Sequence, residues 1–264
     1  VALGIEEQAG EQRPEVCTLY VEHYLCPGRT KLLPGDLQPD QALPPDLRVI
    51  DCAVHMRRLP EARMLDRLLA ENAVSREQIL SLAHTMAQFH QRAAKEPCTE
   101  GAGSPEALRS FARANFEETR EFCPEIFDSE LHQCLQAITE EDFAEILPVL
   151  EARERAGRVV DGHGDLHARN ICMTDPPTVY DCLEFATALR CADVATENAF
   201  LAMDLRYRGH PELAEHYLAA YQQASGDSEQ QTLIAPLIVY RAMVRAKVSA
   251  LLSRQQEVNE QERS

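Results

Sequence analysis

A cluster of polar residues near the middle of the chain has the types and spacing needed for phosphoryl transfer. His163, Asp165 and Asn170 fit the pattern H-x-D-x-x-x-x-N. In this pattern the aspartate accepts the proton of a hydroxyl group and the asparagine binds Mg²⁺. Phosphoryl transfer depends mainly on positioning and charge neutralisation, so one carboxylate base and a few oxygen ligands are enough. The spacing predicts a catalytic loop over 161–170 with Asp165 as the base.

A second aspartate meets the need for another oxygen ligand of Mg²⁺ after the catalytic loop. Asp181 follows Ile171–Met173, a Thr-Asp-Pro-Pro turn and Thr178–Tyr180. This composition is typical of two short strands around a turn. We therefore predict that Asn170 and Asp181 are the metal ligands, the latter within a metal-binding segment at 178–185.

The same polar residues allow a different interpretation, that of a metal-dependent hydrolase. His163, Asp165, His167 and Asp181 include an H-x-D-x-H pattern, which presents up to three ligands to a divalent transition metal. This hypothesis leaves Asn170 without a role. A serine hydrolase is not indicated, because the sequence has no G-x-S-x-G elbow.

The elements that must position the loop are predicted from apolar periodicity. Arg48–Met56 alternates as a strand, and Arg158–Val160 begins the short strands around the loop. Ser75 and Gln78 form a capping box that opens a helix. Helices are predicted at Ala62–Glu71, from Ser75 onward, at Pro105–Phe122, Ser129–Ile138, Asp142–Ala156, Val194–Leu205, Pro211–Ala224 and Thr232–Gln256.

The helix that follows Ser75 has an apolar face. We expect the buried face to consist of Ile79, Leu82, Ala83, Met86 and Phe89.

The first 48 residues have an irregular pattern, because prolines interrupt them at positions 27, 34, 39, 44 and 45. A short helix or strand is expected only around Val16–Leu25. No lysine precedes Lys31, which lies in a loop-like context between Arg29 and Pro34. Lys31 is therefore not expected to lie in a central strand.

Composition and charge narrow the class of protein. The chain has 264 residues and a formal net charge of −17, which disfavours nucleic acid and anionic membranes as partners. A transmembrane span and a signal peptide are not indicated, so a cytoplasmic protein is expected. The first residue is Val1 rather than methionine, which is typical of a fragment or a processed product.

The nine cysteines are widely spread and include no C-x-x-C pair. A zinc ribbon or a disulfide framework is therefore not predicted, and we expect reduced, buried thiols.

The sequence resembles the aminoglycoside phosphotransferase family of kinase-like enzymes. The likeness is carried by His163–Asn170 (HGDLHARN) and Asp181–Phe185 (DCLEF), and extends to Ala53–Pro60 and Tyr240–Lys247. The last two segments resemble a bacterial subgroup in which such a domain often precedes a P-loop ATP-binding domain. The resemblance implies an α+β, protein-kinase-like fold. Its reduced or truncated N-terminal β lobe would cover 1–60 with a hinge strand at about 49–56, and its helical lobe would cover 61–258.

The resemblance also implies roles for residues around the site, with ATP and Mg²⁺ as cofactors and a small-molecule hydroxyl as acceptor. Asp165 would be the base, and Asn170 and Asp181 the magnesium ligands. The backbone of Asp51, Cys52, Ala53 and Val54 would meet adenine.

Four further residues take supporting roles by the same resemblance. His163 would brace the loop, and Asp193 would tie it to the following helix. Glu184 would bind a second metal or the substrate, or else pair with Arg190.

Two departures from the family pattern bear on activity. The family's small lobe supplies a strand lysine that holds the ATP phosphates, and Lys31 is the single candidate for it. No G-x-x-x-x-G-K-[ST] sequence occurs, so the subgroup's ATPase domain is absent from this chain. A catalytically weak or inactive kinase-like binding module, or a fragment, therefore stands as the alternative to a phosphotransferase.

Overall fold

The fold was obtained as a computed structural model, which describes residues 18–23, 30–32, 47–53, 58–95, 101–183 and 186–254. The chain divides into two compact units at Leu59 and Pro60.

The first unit contains an antiparallel sheet of three strands in the order β2-β1-β3. These strands are β1 (Thr18–His23), β2 (Thr30–Leu32) and β3 (Leu47–Ala53). The loop-like context predicted for Lys31 is wrong, because Lys31 lies in β2 opposite Val21. A strand of three residues is too short to show a periodic pattern in the sequence. The strand is stabilised by its pairing with β1.

The second unit begins with α1 (Leu65–Ala70) and α2 (Arg76–Arg92). The predicted capping box is confirmed: Gln78 Oε1 accepts from Ser75 N at 2.8 Å, and Ser75 Oγ accepts from Gln78 N at 3.3 Å. The predicted buried face is confirmed except at Phe89, which is 40% exposed. His90, one turn beyond Met86, is buried instead. The buried face of α2 thus ends in a polar residue, His90. A search for apolar periodicity does not detect a buried histidine.

Two helices follow, α3 (Pro105–Thr119), capped by Ser104, and α4 (Ser129–Arg155). The prediction of two separate helices between 129 and 156 is wrong, since α4 is continuous over 27 residues. Tertiary packing stabilises the continuous helix, because Phe143, Ile146 and Leu150 of α4 are buried in one apolar core with residues of α3 and of the C-terminal helices.

The segment around the predicted loop forms two small antiparallel sheets. One pairs β4 (Val159–Asp161) with β7 (Cys191–Asp193), and the other pairs β5 (Ile171–Cys172) with β6 (Thr178–Val179). The sequence did not predict β7 or the short helix α5 (Thr187–Arg190) before it. Both are too short for apolar periodicity to be recognised in the sequence.

The C-terminal helices are α6 (Val194–Tyr207), α7 (Pro211–Ser225) and α8 (Gln231–Arg254). Every residue of α6 from Val194 to Leu205 is buried. Leu201 and Leu205 belong to one apolar core with residues of α2 and α7, and Ala195 and Ala199 to a second core with α3, α4 and α8. The polar residues of α6 are therefore carried into the interior of this unit.

Two further observations complete the fold. Among the residues described, no helix has the length and apolar character to cross a membrane. Cys123, Cys134, Cys172 and Cys182 are thiols, whereas Cys191 is disulfide-bonded. The expectation of reduced, buried cysteines is thus wrong for Cys191, since a disulfide depends on spatial proximity that spacing does not reveal. It is also wrong for Cys134 and Cys182, which are thiols but exposed.

Candidate active site

The predicted catalytic loop runs from the end of β4 to the start of β5. A 3-10 turn at Ala168–Asn170 leads directly into β5. Gly164, before Asp165, has a φ of +80°. A Cβ at this position would lie 2.9 Å from Leu183 Cδ1 and 3.2 Å from Arg190 Cα. Glycine is therefore required both by the backbone conformation and by the close approach of its neighbours.

Asp165 is held by two side chains that follow it in the loop. Its Oδ2 lies 3.2 Å from His167 Nε2 and accepts a bond of 3.2 Å from Asn170 Nδ2. Burial raises the pKa of the Asp165 carboxyl, but the hydrogen bonds from His167 and Asn170 outweigh it. The pKa lies below its usual value of 3.8. The carboxylate is ionised at neutral pH and remains about one third exposed, so it can accept a proton from a bound hydroxyl.

Asn170 brings the other predicted metal ligand to the loop. Its Nδ2 also donates to Asp165 O at 3.0 Å and lies 3.5 Å from Asp181 O. The amide nitrogen thus faces the backbone, and the amide oxygen is the group left for a cation. Asp181 is exposed and has a φ of +63°. For a residue with a Cβ this conformation is strained, and such strain is concentrated at functional sites.

The oxygen groups of this loop match the requirements of Mg²⁺. Magnesium is bound through one or two carboxylates and keeps several waters. The Asn170 amide oxygen and the Asp181 carboxylate fit such a site. Glu184 lies outside the described residues.

His163 connects the loop to the segment after β6. Its Nε2 lies 2.8 Å from Tyr180 O, and its Nδ1 accepts from Asp165 N at 3.3 Å. Because Nδ1 accepts from the Asp165 amide, Nε2 is the ring nitrogen that donates to Tyr180 O. Leu183 N donates to His163 O at 3.0 Å. The three bonds fix the main chain beside Asp165.

Two carboxylates of α6 accept hydrogen bonds from the backbone of the catalytic loop. Glu197 Oε1 accepts from Gly164 N at 2.5 Å, and Asp204 Oδ2 accepts from Ala168 N at 2.9 Å. The two acids are separated by two helical turns and face the same side of α6. The two carboxylates thus fix backbone amides that precede and follow Asp165 in the loop.

Glu197 is also bonded to His90 of α2, which is itself bonded to Tyr221 of α7. Its Oε2 lies 2.7 Å from His90 Nε2, and His90 Nδ1 lies 2.8 Å from Tyr221 Oη. Burial raises the pKa of Glu197, but the hydrogen bonds from His90 and Gly164 outweigh it and lower the pKa. Sequence reasoning missed these residues. The available signal was the occurrence of acidic residues in the otherwise apolar α6.

The other predicted supporting residues have structural partners. Arg190 contacts both carboxylate oxygens of Asp161, and its Nη1 donates to Leu183 O at 2.9 Å. Asp193 caps α6 by accepting from Ala195 N at 2.8 Å, and it pairs with Arg153. Asp51, Cys52 and Ala53 lie in β3, and Val54 lies outside the described residues.

A metal-dependent hydrolase gains no support from the geometry. In the part of the chain that the structure describes, no three His, Cys, Asp or Glu side chains are arranged to hold a metal ion. His167 contacts Asp165 and packs its ring against Phe200, with centroids 5.7 Å apart. The bond to Asp165 is enough to explain the position of His167.

The ionised Asp165, Asn170 five residues later and Asp181 after a strand-turn-strand unit match the pattern predicted for the catalytic loop of a phosphotransferase. The chain belongs to the phosphotransferase enzyme family, whose model matches residues 36–231. The predicted family is confirmed, and the helices and small antiparallel sheets agree with an α+β fold. The family implies the kinase-like form of that fold.

Two mycobacterial proteins are similar to this chain. They are uncharacterized proteins of Mycobacterium tuberculosis (Rv2004c) and Mycobacterium bovis (Mb2027c), each 32% identical over 199 residues. The match covers 75% of this chain but only 40% of each relative. No solved structure matches the chain.

Proposed function

We propose that the chain transfers the γ-phosphoryl group of ATP to a hydroxyl group of a small molecule, with Mg²⁺ as cofactor. The observation that carries this proposal is the Asp165 carboxylate, ionised and held by His167 and Asn170. Asp165 accepts the proton as the acceptor oxygen bonds to phosphorus, and the bond between the γ-phosphorus and the bridging oxygen breaks to release ADP.

The roles of the other residues follow from the same proposal. Asn170 and Asp181 bind the Mg²⁺ that neutralises the phosphate charge. His163, Glu197 and Asp204 fix the loop so that the carboxylate needs no reorganisation during the reaction.

One feature favours a second candidate, a kinase-like binding module with weak or no activity. Lys31 is the only lysine before Lys95, and it lies in the three-residue strand β2. A module that lacked a phosphate-holding lysine would bind ATP poorly. We also propose that a P-loop ATPase domain is the partner of this unit, since the chain spans only 40% of the length of its curated relatives.

Calorimetric titration with ATP, with and without Mg²⁺, separates the two candidates. We expect magnesium-dependent binding that is lost in Asp181→Ala. Asp175→Ala is the matched control, because Asp175 is an exposed aspartate in the turn between β5 and β6. Absence of binding at millimolar ATP would favour the inactive module. Binding that survives in Asp181→Ala would refute the metal assignment.

A further inference from the structure

Arg241 of α8 is a buried cation beside the catalytic loop. The residue is 6% exposed, and its Nη1 lies 3.4 Å from Gly164 O. Its guanidinium carbon lies 4.8 Å from the centroid of the Phe200 ring. The buried Nε has no hydrogen-bond partner. The guanidinium is therefore packed against the loop but only weakly satisfied by it.

The partners of Arg241 differ from those of the other buried arginine. Arg153 is fully buried and makes ion pairs with Asp193 and Asp227. The ion pairs among the described residues include none for Arg241. A buried charge without a counter-charge is costly, and a chain with a net charge of −17 does not lack carboxylates. The uncompensated charge points to an anion that is not part of this unit.

A second arginine lies one helical turn further along α8. Arg245 is half-buried, and the ion pairs of the described residues do not include it either. Residues four apart lie on the same face of a helix. Arg241 and Arg245 thus form a basic pair, to which Arg245 supplies the more accessible group.

The basic pair is linked to the proposed base through one aromatic ring. Phe200 packs against Arg241 on one side and against the ring of His167. His167 Nε2 in turn lies 3.2 Å from Asp165 Oδ2. An anion held by Arg241 would therefore be connected to the Asp165 carboxylate through two contacting side chains, Phe200 and His167.

We infer that Arg241, together with Arg245, binds an anionic group of the phosphoryl acceptor, a carboxylate or a phosphate. The inference rests on the proposed phosphotransferase function and narrows its substrate class to hydroxyl compounds with a negative charge. Guanidinium groups bind such anions through two parallel hydrogen bonds. A cationic acceptor, such as an aminoglycoside, would be repelled by the same pair.

Inorganic phosphate is the probe for this site, titrated calorimetrically at low ionic strength without nucleotide. We expect saturable binding to one site, with a dissociation constant of about 1 mM or lower. Arg241→Met should weaken it by at least about tenfold, and Arg241→Lys by less, because lysine keeps the charge but not the two-pronged geometry. The matched control is Arg206→Met, which removes an exposed arginine of α6 paired with Glu215.

Several outcomes would overturn the inference. They are absence of saturable phosphate binding to the natural sequence, an equal loss in Arg206→Met, and displacement of phosphate by Mg-ADP, which would assign the anion to the nucleotide. Arg245→Met serves if Arg241→Met does not fold, as judged by thermal melting.

The test is independent of the catalytic assignments. Asp165→Asn and Asp181→Ala should still bind phosphate, and Arg241→Met should still bind Mg-ATP. Intact ATP binding without phosphate binding would therefore refute the anion site and leave the proposed function standing.

Discussion

At the scale of single residues, Asp165 differs from a surface aspartate in the number of donors directed at it. His167 and Asn170 both contact Oδ2, so the carboxylate stays ionised and its orientation is fixed. Fixed orientation matters because a positioned base contributes about 10²–10⁴-fold to a rate. The spacing of Asp165 and Asn170 was visible in the sequence, whereas the contact with His167 was not predicted.

We expect Asp165→Asn to lower turnover by about 10²–10⁴-fold. Asparagine keeps the shape and the accepting oxygen, and thus the contacts with His167 and Asn170, but it cannot accept a proton. Steady-state turnover of ATP with an acceptor measures the loss. An unchanged melting temperature serves as the control for folding, and full activity in this variant would exclude Asp165 as the base.

Gly164→Ala tests how closely the loop is packed. A φ of +80° and the contacts with Leu183 and Arg190 predict a loss of about 1–3 kcal/mol in the free energy of unfolding. Gly209→Ala is the matched control, because Gly209 has a φ of +88° but nothing within 4 Å of its Cβ position. The difference between the two variants in urea denaturation isolates the close approach. Equal costs would show that backbone conformation alone requires the glycine.

At the scale of elements, α6 explains why the sequence predicted the catalytic loop better than its supports. The loop residues follow a spacing within a short segment, which a sequence displays directly. Glu197 and Asp204 act instead through contacts between α6 and a distant loop. Lys31 and β7 were missed for a related reason, since three-residue strands exist only through their partners.

Substitutions of Glu197 test how much its hydrogen bonds to the catalytic loop and to His90 contribute to stability. Glu197→Leu leaves His90 and the Gly164 amide buried without an acceptor, so the free energy of unfolding should fall by about 3–5 kcal/mol. Glu197→Gln keeps an oxygen for Gly164 N and should cost clearly less. Both values come from urea denaturation. Equal costs for the two variants would contradict the importance of the bond to the loop.

At the scale of the whole helical unit, Arg153 joins three segments that are far apart in the sequence. From α4 it reaches Asp193 at the start of α6 with bonds of 2.8 and 2.9 Å, and Asp227 after α7 with bonds of 2.6 and 2.7 Å. Burial lowers the pKa of the arginine and raises that of Asp227, but their mutual bonds outweigh it in both cases. The pKa of Asp227 is therefore depressed in the folded state.

We expect Arg153→Met to lower the free energy of unfolding at pH 7 by about 3–5 kcal/mol, because it leaves buried carboxylates unpaired. Because the pKa of Asp227 is lower in the folded protein than the usual 3.8, its carboxylate stabilises the fold at pH values above 3.8. This stabilisation is lost as the pH falls through the pKa of the folded state. The difference from the natural sequence should thus shrink below about pH 4. Arg113→Met, which removes an exposed ion pair with Glu140, should have little effect. A difference that does not change with pH would contradict the assignment.

The burial of α6 in both apolar cores has a consequence for the motions of the catalytic loop. The amides of Gly164 and Ala168 bond to carboxylates on that helix, so they can meet solvent deuterium only when α6 separates from the loop. Amide hydrogen exchange at these two positions should then be as slow as at the centre of α6, although neighbouring loop amides exchange quickly. The segment that carries the reactive carboxylate would open only when the helical unit itself unfolds.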